Sequence, residues 1–114
     1  MKLHAIYTTC IVVLSYLVCR ASADVSCKQT GRLGSKYWEI KISEVENPAA
    51  LCGRLWDGLA AWPACNVFRP NGCGTPFGNN DVYLYFTTTI ICNRGMVASA
   101  FWHATYNRYG PIKC

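Results

Sequence analysis

The chain has 114 residues, eight of them cysteine, and a formal net charge of +5. A chain of this length is expected to form one domain, and its basic residues are scattered singly rather than gathered in a run or stripe. Composition therefore argues against several domains and against a nucleic-acid partner.

The N-terminal residues are predicted to be a secretory signal peptide. A short polar start precedes an apolar run at residues 11–18, and the small residues at 21–23 are typical of a cleavage site. The apolar run is too short to span a bilayer, and no later run is long enough either. We therefore expect residues 1–23 to be removed and residues 24–114 to form a single secreted domain that does not span a membrane.

Cleavage would leave an even number of cysteines in a short secreted chain, which predicts three disulfides. A metal site is the competing interpretation, but the mature chain has no CxxC pair and a single histidine, His103. Structural zinc sites use closely paired ligands, so we predict neither a metal nor a cofactor. The remaining nine Lys/Arg and six Asp/Glu give the mature chain a net charge of +3.

The first half of the mature chain predicts an arm, a strand and a helix. Residues 24–35 are polar and contain glycine, which favours an extended arm tethered by its cysteine. A strand follows at residues 37–43, where apolar and polar side chains alternate with a period of two. Asn47 and Pro48 are typical of a helix start, and leucines at helical spacing continue through Trp62 until a proline ends the helix.

The second half predicts two strands with a loop between them. A short strand is expected at residues 65–69, stopped by Pro70, and residues 70–81 are dense in turn residues and predict a loop. Asp81–Cys92 is the longest run of β-forming residues in the chain. The side chains expected to point into the core from this strand are Val82, Leu84, Phe86, Thr88 and Ile90.

A second helix is predicted after Cys92, starting at residues 93–95 and running through about Tyr106, and residues 111–114 form a short strand at best. The order of elements is then β-α-β-β-α-β, which predicts an α+β fold of the ferredoxin-like plait type. In this plait two helices cover one face of an antiparallel sheet. The third strand lies between the first and second, and the fourth lies outside the first.

The predicted plait brings the six cysteines together in pairs. The start of its second strand lies beside the end of the third, and the start of its first helix lies above the end of the second strand. The end of the fourth strand lies beside the start of the first strand and its arm. The expected disulfides are therefore Cys65–Cys92, Cys52–Cys73 and Cys27–Cys114.

His103 is the one candidate for acid–base catalysis in the mature chain. Such catalysis requires a partner carboxylate within hydrogen-bonding reach, and the sequence places none in a recognisable arrangement with it. Six paired cysteines leave no thiol nucleophile, and no nucleophile elbow or phosphate loop occurs. We therefore predict no catalytic residue and no enzymatic activity. A small secreted hydrolase or ribonuclease that uses His103 is the alternative.

Three tyrosines form the candidate binding face. Tyr37, Tyr83 and Tyr85 are expected to share the sheet face opposite the helices, with Lys41 close by. Exposed tyrosines on a flat sheet suit a protein or a sugar partner. The alternative is that tyrosine occurs there because of its β-propensity and half-covers an open sheet without binding anything.

The signal peptide, the short mature chain, the six cysteines and the plait ending in Cys114 resemble the small secreted cysteine-rich effectors of plant-pathogenic fungi. The plait also resembles that of the virally encoded killer toxins of smut fungi, and the turn residues at 78–81 before the long strand are similar. The resemblance implies a non-enzymatic protein that acts outside the producing cell, for example in the host apoplast. Its partner would be a host or competitor protein or a surface glycan.

A membrane-active antimicrobial protein is a further alternative. The chain lacks a strongly basic amphipathic helix, which disfavours this interpretation.

Overall fold

A computed structural model of the chain describes residues 24–114 in full and the backbone of residues 8–13 and 16–21. Besides a single 3₁₀ turn at Pro63–Cys65, the described elements in chain order are β1 (Thr8–Val13), β2 (Tyr16–Ala21), β3 (Val25–Arg32), β4 (Ser35–Ile42), α1 (Pro48–Ala60), β5 (Phe68–Gly74), β6 (Val82–Thr89) and α2 (Arg94–Ala104).

The first two strands, β1 and β2, form an antiparallel hairpin of their own, and no other described strand joins their sheet. This hairpin falls within the predicted signal peptide, residues 1–23. The predicted cleavage site at residues 21–23 lies partly outside the described residues. Removal of the segment stays a prediction, which N-terminal sequencing of the exported protein would check.

The remaining four strands form one sheet in the order β3-β4-β6-β5, with every neighbouring pair antiparallel. The sheet carries two helices, and three disulfides cross-link the domain. The predicted α+β class, with an antiparallel sheet, two helices and three bridges, is therefore confirmed. The three strands predicted between residues 37 and 92 lie side by side, with β6 between β4 and β5.

The strand outside β4 is not the predicted one. Residues 25–32, expected to be an arm, form β3 and pair with β4 along its whole length, whereas residues 111–114 form no strand. Within residues 24–114 the order of strands and α-helices is thus β-β-α-β-β-α rather than β-α-β-β-α-β. A hairpin closed by the two-residue turn at 33–34 needs little loop-closure entropy, and Gly34 supplies the positive φ of 75°. The short C-terminal segment begins with a proline and has little backbone to pair.

The edge strand β5 also differs from the expectation that Pro70 would stop it. It runs from Phe68 through Pro70 to Gly74, with a register irregularity between residues 68 and 72. Among the described strands β5 pairs only with β6, so the missing N–H of Pro70 costs no ladder hydrogen bond on the outer edge. The loop predicted at residues 70–81 is correspondingly shorter and begins after Gly74.

Both helices begin at an asparagine cap. The Asn47 side chain accepts from the Ala50 backbone N–H at 3.2 Å, and the Asn93 side chain accepts from that of Met96 at 2.9 Å. The helix α2 ends at Ala104, two residues before the predicted end, because Tyr106 and the residue after it adopt positive φ.

The hydrophobic core lies between the helices and one face of the sheet. Trp38 and Phe86 stack with ring centroids 6.1 Å apart, and the Trp38 Nε1–H donates to Thr88 Oγ1 at 2.9 Å. Ile90, expected in this core, is 60% exposed because β6 ends one residue earlier and the chain turns. The large hydrophobic side chains that β4, β6, α1 and α2 bury completely are Trp38, Ile40, Ile42, Val82, Leu84, Phe86, Leu51, Leu55, Leu59, Val97 and Phe101.

The disulfides join the pairs that the sequence predicts. Their Cα–Cα distances are 4.7 Å for Cys27–Cys114, 5.8 Å for Cys52–Cys73 and 4.7 Å for Cys65–Cys92. The first of these pairs forms for a different reason from the one expected, because its N-terminal cysteine lies in the edge strand β3 and Cys114 follows no strand. Peptide mapping of the oxidised protein would check all three.

Candidate binding face

The sheet side opposite the helices carries the alternate residues of β4 and β6. Tyr37 and Lys41 project from β4, and Tyr83 and Tyr85 project from β6 directly across from Lys41 and Glu39. The three tyrosines are half-buried and Lys41 is exposed. The predicted candidate residues therefore lie together on one side of the sheet, and both described helices bury their apolar residues on the other side.

The aromatic rings on this side form a continuous series. The ring centroids are 6.4 Å apart for Tyr37 and Tyr85, and 5.2 Å apart for Tyr85 and Tyr83. Phe77, which is 62% exposed, continues the series at 5.6 Å from Tyr83. Phe77 was not among the predicted residues, although it lies in the loop that the sequence predicts before β6. We call the surface formed by Tyr37, Lys41, Phe77, Tyr83 and Tyr85 the tyrosine face.

Positive charges lie directly against these rings. The guanidinium carbon of Arg32 is 4.2 Å from the centroid of Tyr37, and Lys41 Nζ is 5.7 Å from Tyr83 and 5.8 Å from Phe77. Contacts of this kind are favourable by about 0.5–1 kcal/mol at exposed sites. The sequence does not indicate Arg32, because its segment predicts an extended arm. As the last residue of β3, Arg32 lies beside the tyrosine face.

One carboxylate, that of Glu39, lies among these groups, and it accepts a hydrogen bond from a tyrosine. The Tyr83 hydroxyl donates to Glu39 Oε2 at 2.6 Å. Burial raises the pKa of the Tyr83 phenol well above its ordinary value, and the hydrogen bond to Glu39 raises it further. Tyr83 therefore stays protonated at neutral pH and keeps its ring in a defined position.

The position of the Tyr85 ring depends on Gly72 in the neighbouring edge strand. The two residues lie directly across from one another, and a Cβ built at Gly72 would lie 2.6 Å from the Tyr85 hydroxyl. Any residue other than glycine would place a Cβ in the space that the Tyr85 ring occupies. The absence of a Cβ thus allows Tyr85 to lie over β5.

Two shallow pockets adjoin the tyrosine face and share Lys41. One, of about 320 Å³, is lined in part by Phe77, Asp81 and Ser26. The other, of about 350 Å³, is lined in part by Lys28 and Glu39. The tyrosine face is therefore a row of aromatic rings with two shallow pockets next to Lys41.

His103 lies apart from any such assembly. It is exposed in the last turn of α2. Among the carboxylates of residues 24–114, Glu39 accepts from Tyr83, and Asp81 accepts from the backbone N–H of Glu44 at 3.0 Å. In this part of the chain no carboxylate is hydrogen-bonded to the His103 ring, so the residues present assemble no acid–base pair there.

The described residues contain no group of three or more His, Cys, Asp or Glu side chains that could hold a metal ion. Nor does the described part of the chain include a helix with the length and apolar character needed to cross a bilayer.

No protein-family model, no curated protein and no solved structure matches this chain. The class that the structure defines is a small, disulfide-bonded α+β domain with an aromatic sheet face that neither described helix covers.

Proposed function

We propose that this chain is a secreted, non-enzymatic binding protein of the effector or toxin-like kind. It would act on a host or competitor protein, or on a surface glycan, outside the producing cell. The observation that carries the proposal is the tyrosine face, where four rings in contact and two adjacent cations lie on an uncovered sheet side.

The composition of this face is that of binding hot spots. Tyrosine and arginine are enriched at the energetically dominant positions of interfaces, because a rigid aromatic ring contributes a large contact area at a small loss of conformational entropy. The rings of Tyr37, Tyr83 and Tyr85 project from paired strands in the middle of a sheet. Such a pre-ordered surface loses less entropy on binding than a loop would.

The disulfides support the compartment proposed. Three bridges within residues 24–114 are typical of proteins that fold in an oxidising environment, such as the secretory pathway or the extracellular space. Together with the predicted signal peptide, they support an extracellular location such as the host apoplast. The proposed resemblance to fungal effectors and killer toxins rests on the α+β class and the three bridges. It does not extend to the order of the strands, because β3 and not a C-terminal strand lies outside β4.

The experiment is a comparison of three proteins on extracellular fluid from a candidate host. The full chain is expressed in a secretory host, and its N-terminus is read on the purified product. Tyr83→Ala combined with Tyr85→Ala should abolish capture of a partner while the fold is kept. Tyr106→Ala is the matched control, since Tyr106 is 71% exposed and lies outside the tyrosine face.

A chemical footprint locates the contact without mutation. Lysine acetylation of the complex should be slower at Lys41 than in the free protein, and unchanged at Lys113, an exposed lysine near the C-terminus. Equal acetylation of Lys41 with and without a captured partner would remove the tyrosine face from the proposal.

The competing enzymatic hypothesis has its own assay. Hydrolysis of RNA and of glycans is measured for the wild-type protein and for His103→Ala. Turnover that disappears in the variant would replace the binding proposal with a hydrolase or ribonuclease.

A further inference from the structure

Three large aliphatic side chains are exposed at one end of the sheet. Leu33, in the β3–β4 turn, is fully exposed, and Ile90 and Ile91, in the turn after β6, are 60% and 65% exposed. Ser35 and Thr89, which flank these turns, pair directly across β4 and β6, so the two turns are neighbours. We call Leu33, Ile90 and Ile91 the apolar end.

The backbone around the second turn is held in place. Lys36 Nζ donates to the Cys92 carbonyl at 2.9 Å, and Thr89 Oγ1 donates to the Ala64 carbonyl at 3.2 Å. The disulfide between the fully buried Cys65 and Cys92 fixes the residue that directly follows this turn. Ile90 and Ile91 are therefore presented to solvent by a fixed turn. Exposed apolar patches with a polar rim commonly mark interaction sites.

The charges of the chain are distributed unevenly between the two ends of the sheet. Arg32 directly precedes Leu33, and Arg94 begins α2 two residues after Cys92. Lys36 donates to the Cys92 carbonyl, and Arg69 lies near the start of β5 at the same end.

The carboxylates lie mainly at the other end. Ser43 donates its N–H to the Asp24 carbonyl, and Asp81 accepts from the Glu44 backbone N–H, which brings these segments together there. Four of the six carboxylates of residues 24–114 are at this opposite end: Asp24, Glu44, Glu46 and Asp81. Of the other two, Glu39 lies in the middle of β4 and Asp57 on α1.

We infer that the apolar end docks onto the surface of an anionic lipid bilayer. Leu33, Ile90 and Ile91 would enter the boundary between headgroups and acyl chains, while the flanking cations contact the headgroups. The charge distribution favours this occupant, because the end that carries the exposed aliphatics also carries four of the nine Lys/Arg of residues 24–114 and faces away from most carboxylates. The protruding turn tips suit insertion into a fluid surface. The three aliphatic residues lie outside the tyrosine face, and Arg32, which also contacts Tyr37, is the one residue that the two proposals share.

The test is binding of the full chain, expressed in a secretory host, to vesicles. One set is phosphatidylcholine alone, and the other contains phosphatidylserine as about a quarter of the lipid, a negatively charged surface. The wild-type protein should bind the second set and not the first. Binding should weaken about fivefold in Arg94→Gln, since each cation near such a surface contributes about 1 kcal/mol.

The decisive variant combines Leu33→Ser, Ile90→Ser and Ile91→Ser, and it should lose vesicle binding at least about tenfold, since each replacement removes several insertable carbons. Phe77→Ser is the matched control, because Phe77 is 62% exposed but precedes β6 at the opposite end. Leu33, Ile90 and Ile91 are exposed and not aromatic, so the near-UV circular dichroism of the triple variant should equal that of the wild type.

Three outcomes would overturn the inference. They are equal binding to both vesicle sets, binding by the triple variant at the wild-type level, and absence of wild-type binding to either set. In the last case, a concentration-dependent dimer that the triple variant abolishes would assign the apolar end to a second copy of the chain. Vesicle binding by Tyr83→Ala/Tyr85→Ala should equal that of the wild type, which separates this test from that of the proposed function.

Discussion

The two sides of the central strands differ in almost every physical property, although they are built from alternate residues of the same segments. On the helix side, Trp38 and Phe86 are fully buried and stacked. On the other side, Tyr37 and Tyr85 are half-buried and contact one another beside cations. Neighbouring residues in the chain therefore have separate tasks: one set holds the fold together, and the other remains available for contact.

Hydrogen bonding follows the same division. The buried Trp38 N–H has a fixed partner in Thr88, as a buried donor requires. On the open side, the half-buried Tyr83 donates to Glu39, and this bond lies outside the hydrophobic core. Loss of the first bond should therefore affect folding, whereas loss of the second should chiefly affect the shape of the tyrosine face.

The largest expected difference between the two sides comes from adjacent aromatic residues of β4. Trp38→Ala removes a fully buried ring and should lower the free energy of unfolding by about 3–5 kcal/mol. Tyr37→Ala should lower it by about 1 kcal/mol or less, because its ring is half-exposed. Urea denaturation of the oxidised proteins measures both. Similar losses for the two variants would contradict the division of the sheet into a stabilising side and an available side.

Two threonines sharpen the comparison at the level of a single hydroxyl. Thr88→Val keeps the shape of a buried side chain but removes the acceptor of the Trp38 N–H, so we expect a loss of about 1–3 kcal/mol. Thr30→Val, on the exposed face of β3, should change stability by less than about 0.5 kcal/mol. Thermal unfolding of the pair is the measurement, and equal melting temperatures would show that the buried hydrogen bond contributes little.

Close helix packing over the covered side predicts opposite effects for two glycines of α1. A Cβ at Gly58 would lie 2.9 Å from the Ala100 carbonyl oxygen of α2, so Gly58→Ala should destabilise by about 1 kcal/mol or more. A Cβ at Gly53 meets nothing within 4 Å, so Gly53→Ala should stabilise by about 0.5–1 kcal/mol through helix propensity. Denaturant midpoints of the two variants should fall on opposite sides of the wild type.

The smallest predicted effect belongs to the open side and depends on pH. The folded state raises the pKa of the Tyr83 phenol, so it holds this proton more tightly than the unfolded state does, where the pKa is about 10. The resulting stabilisation is complete below about pH 10 and is lost as the pH rises from there toward the folded-state pKa. Stability should therefore fall more steeply above pH 10 in the wild type than in Tyr83→Phe. Parallel curves for the two proteins would argue against the contribution of this proton.

The sequence pattern was informative where a local rule decided the structure. The alternation in residues 37–43 and 82–86 predicts which side chains are buried, because successive residues of a strand point to opposite faces. Asn47 and Pro48 predict the start of α1, because a cap satisfies backbone groups within its own turn. Ile90 breaks the pattern, because periodicity does not show where a strand ends.

The two candidate surfaces are harder to predict from the sequence than the strands and helices are. The tyrosines and Lys41 follow from alternation alone, but Phe77 and Arg32 join them through a loop and a hairpin whose positions are set by distant contacts. The apolar end likewise consists of two turns that are far apart in the chain, and strand register brings them together.

The sequence by itself determined that this is a small cysteine-rich α+β domain, and which faces of its central strands are apolar, because cysteine number and side-chain periodicity are local properties. The tertiary structure alone decided which segments occupy the sheet edges. The N-terminal segment takes the edge beside β4 through a two-residue turn, and β5 continues through Pro70 because its outer edge has no partner. An edge strand has unpaired backbone N–H and C=O groups along its outer side. Which segment pairs with them depends on all the segments that can reach that edge, and so on the whole chain.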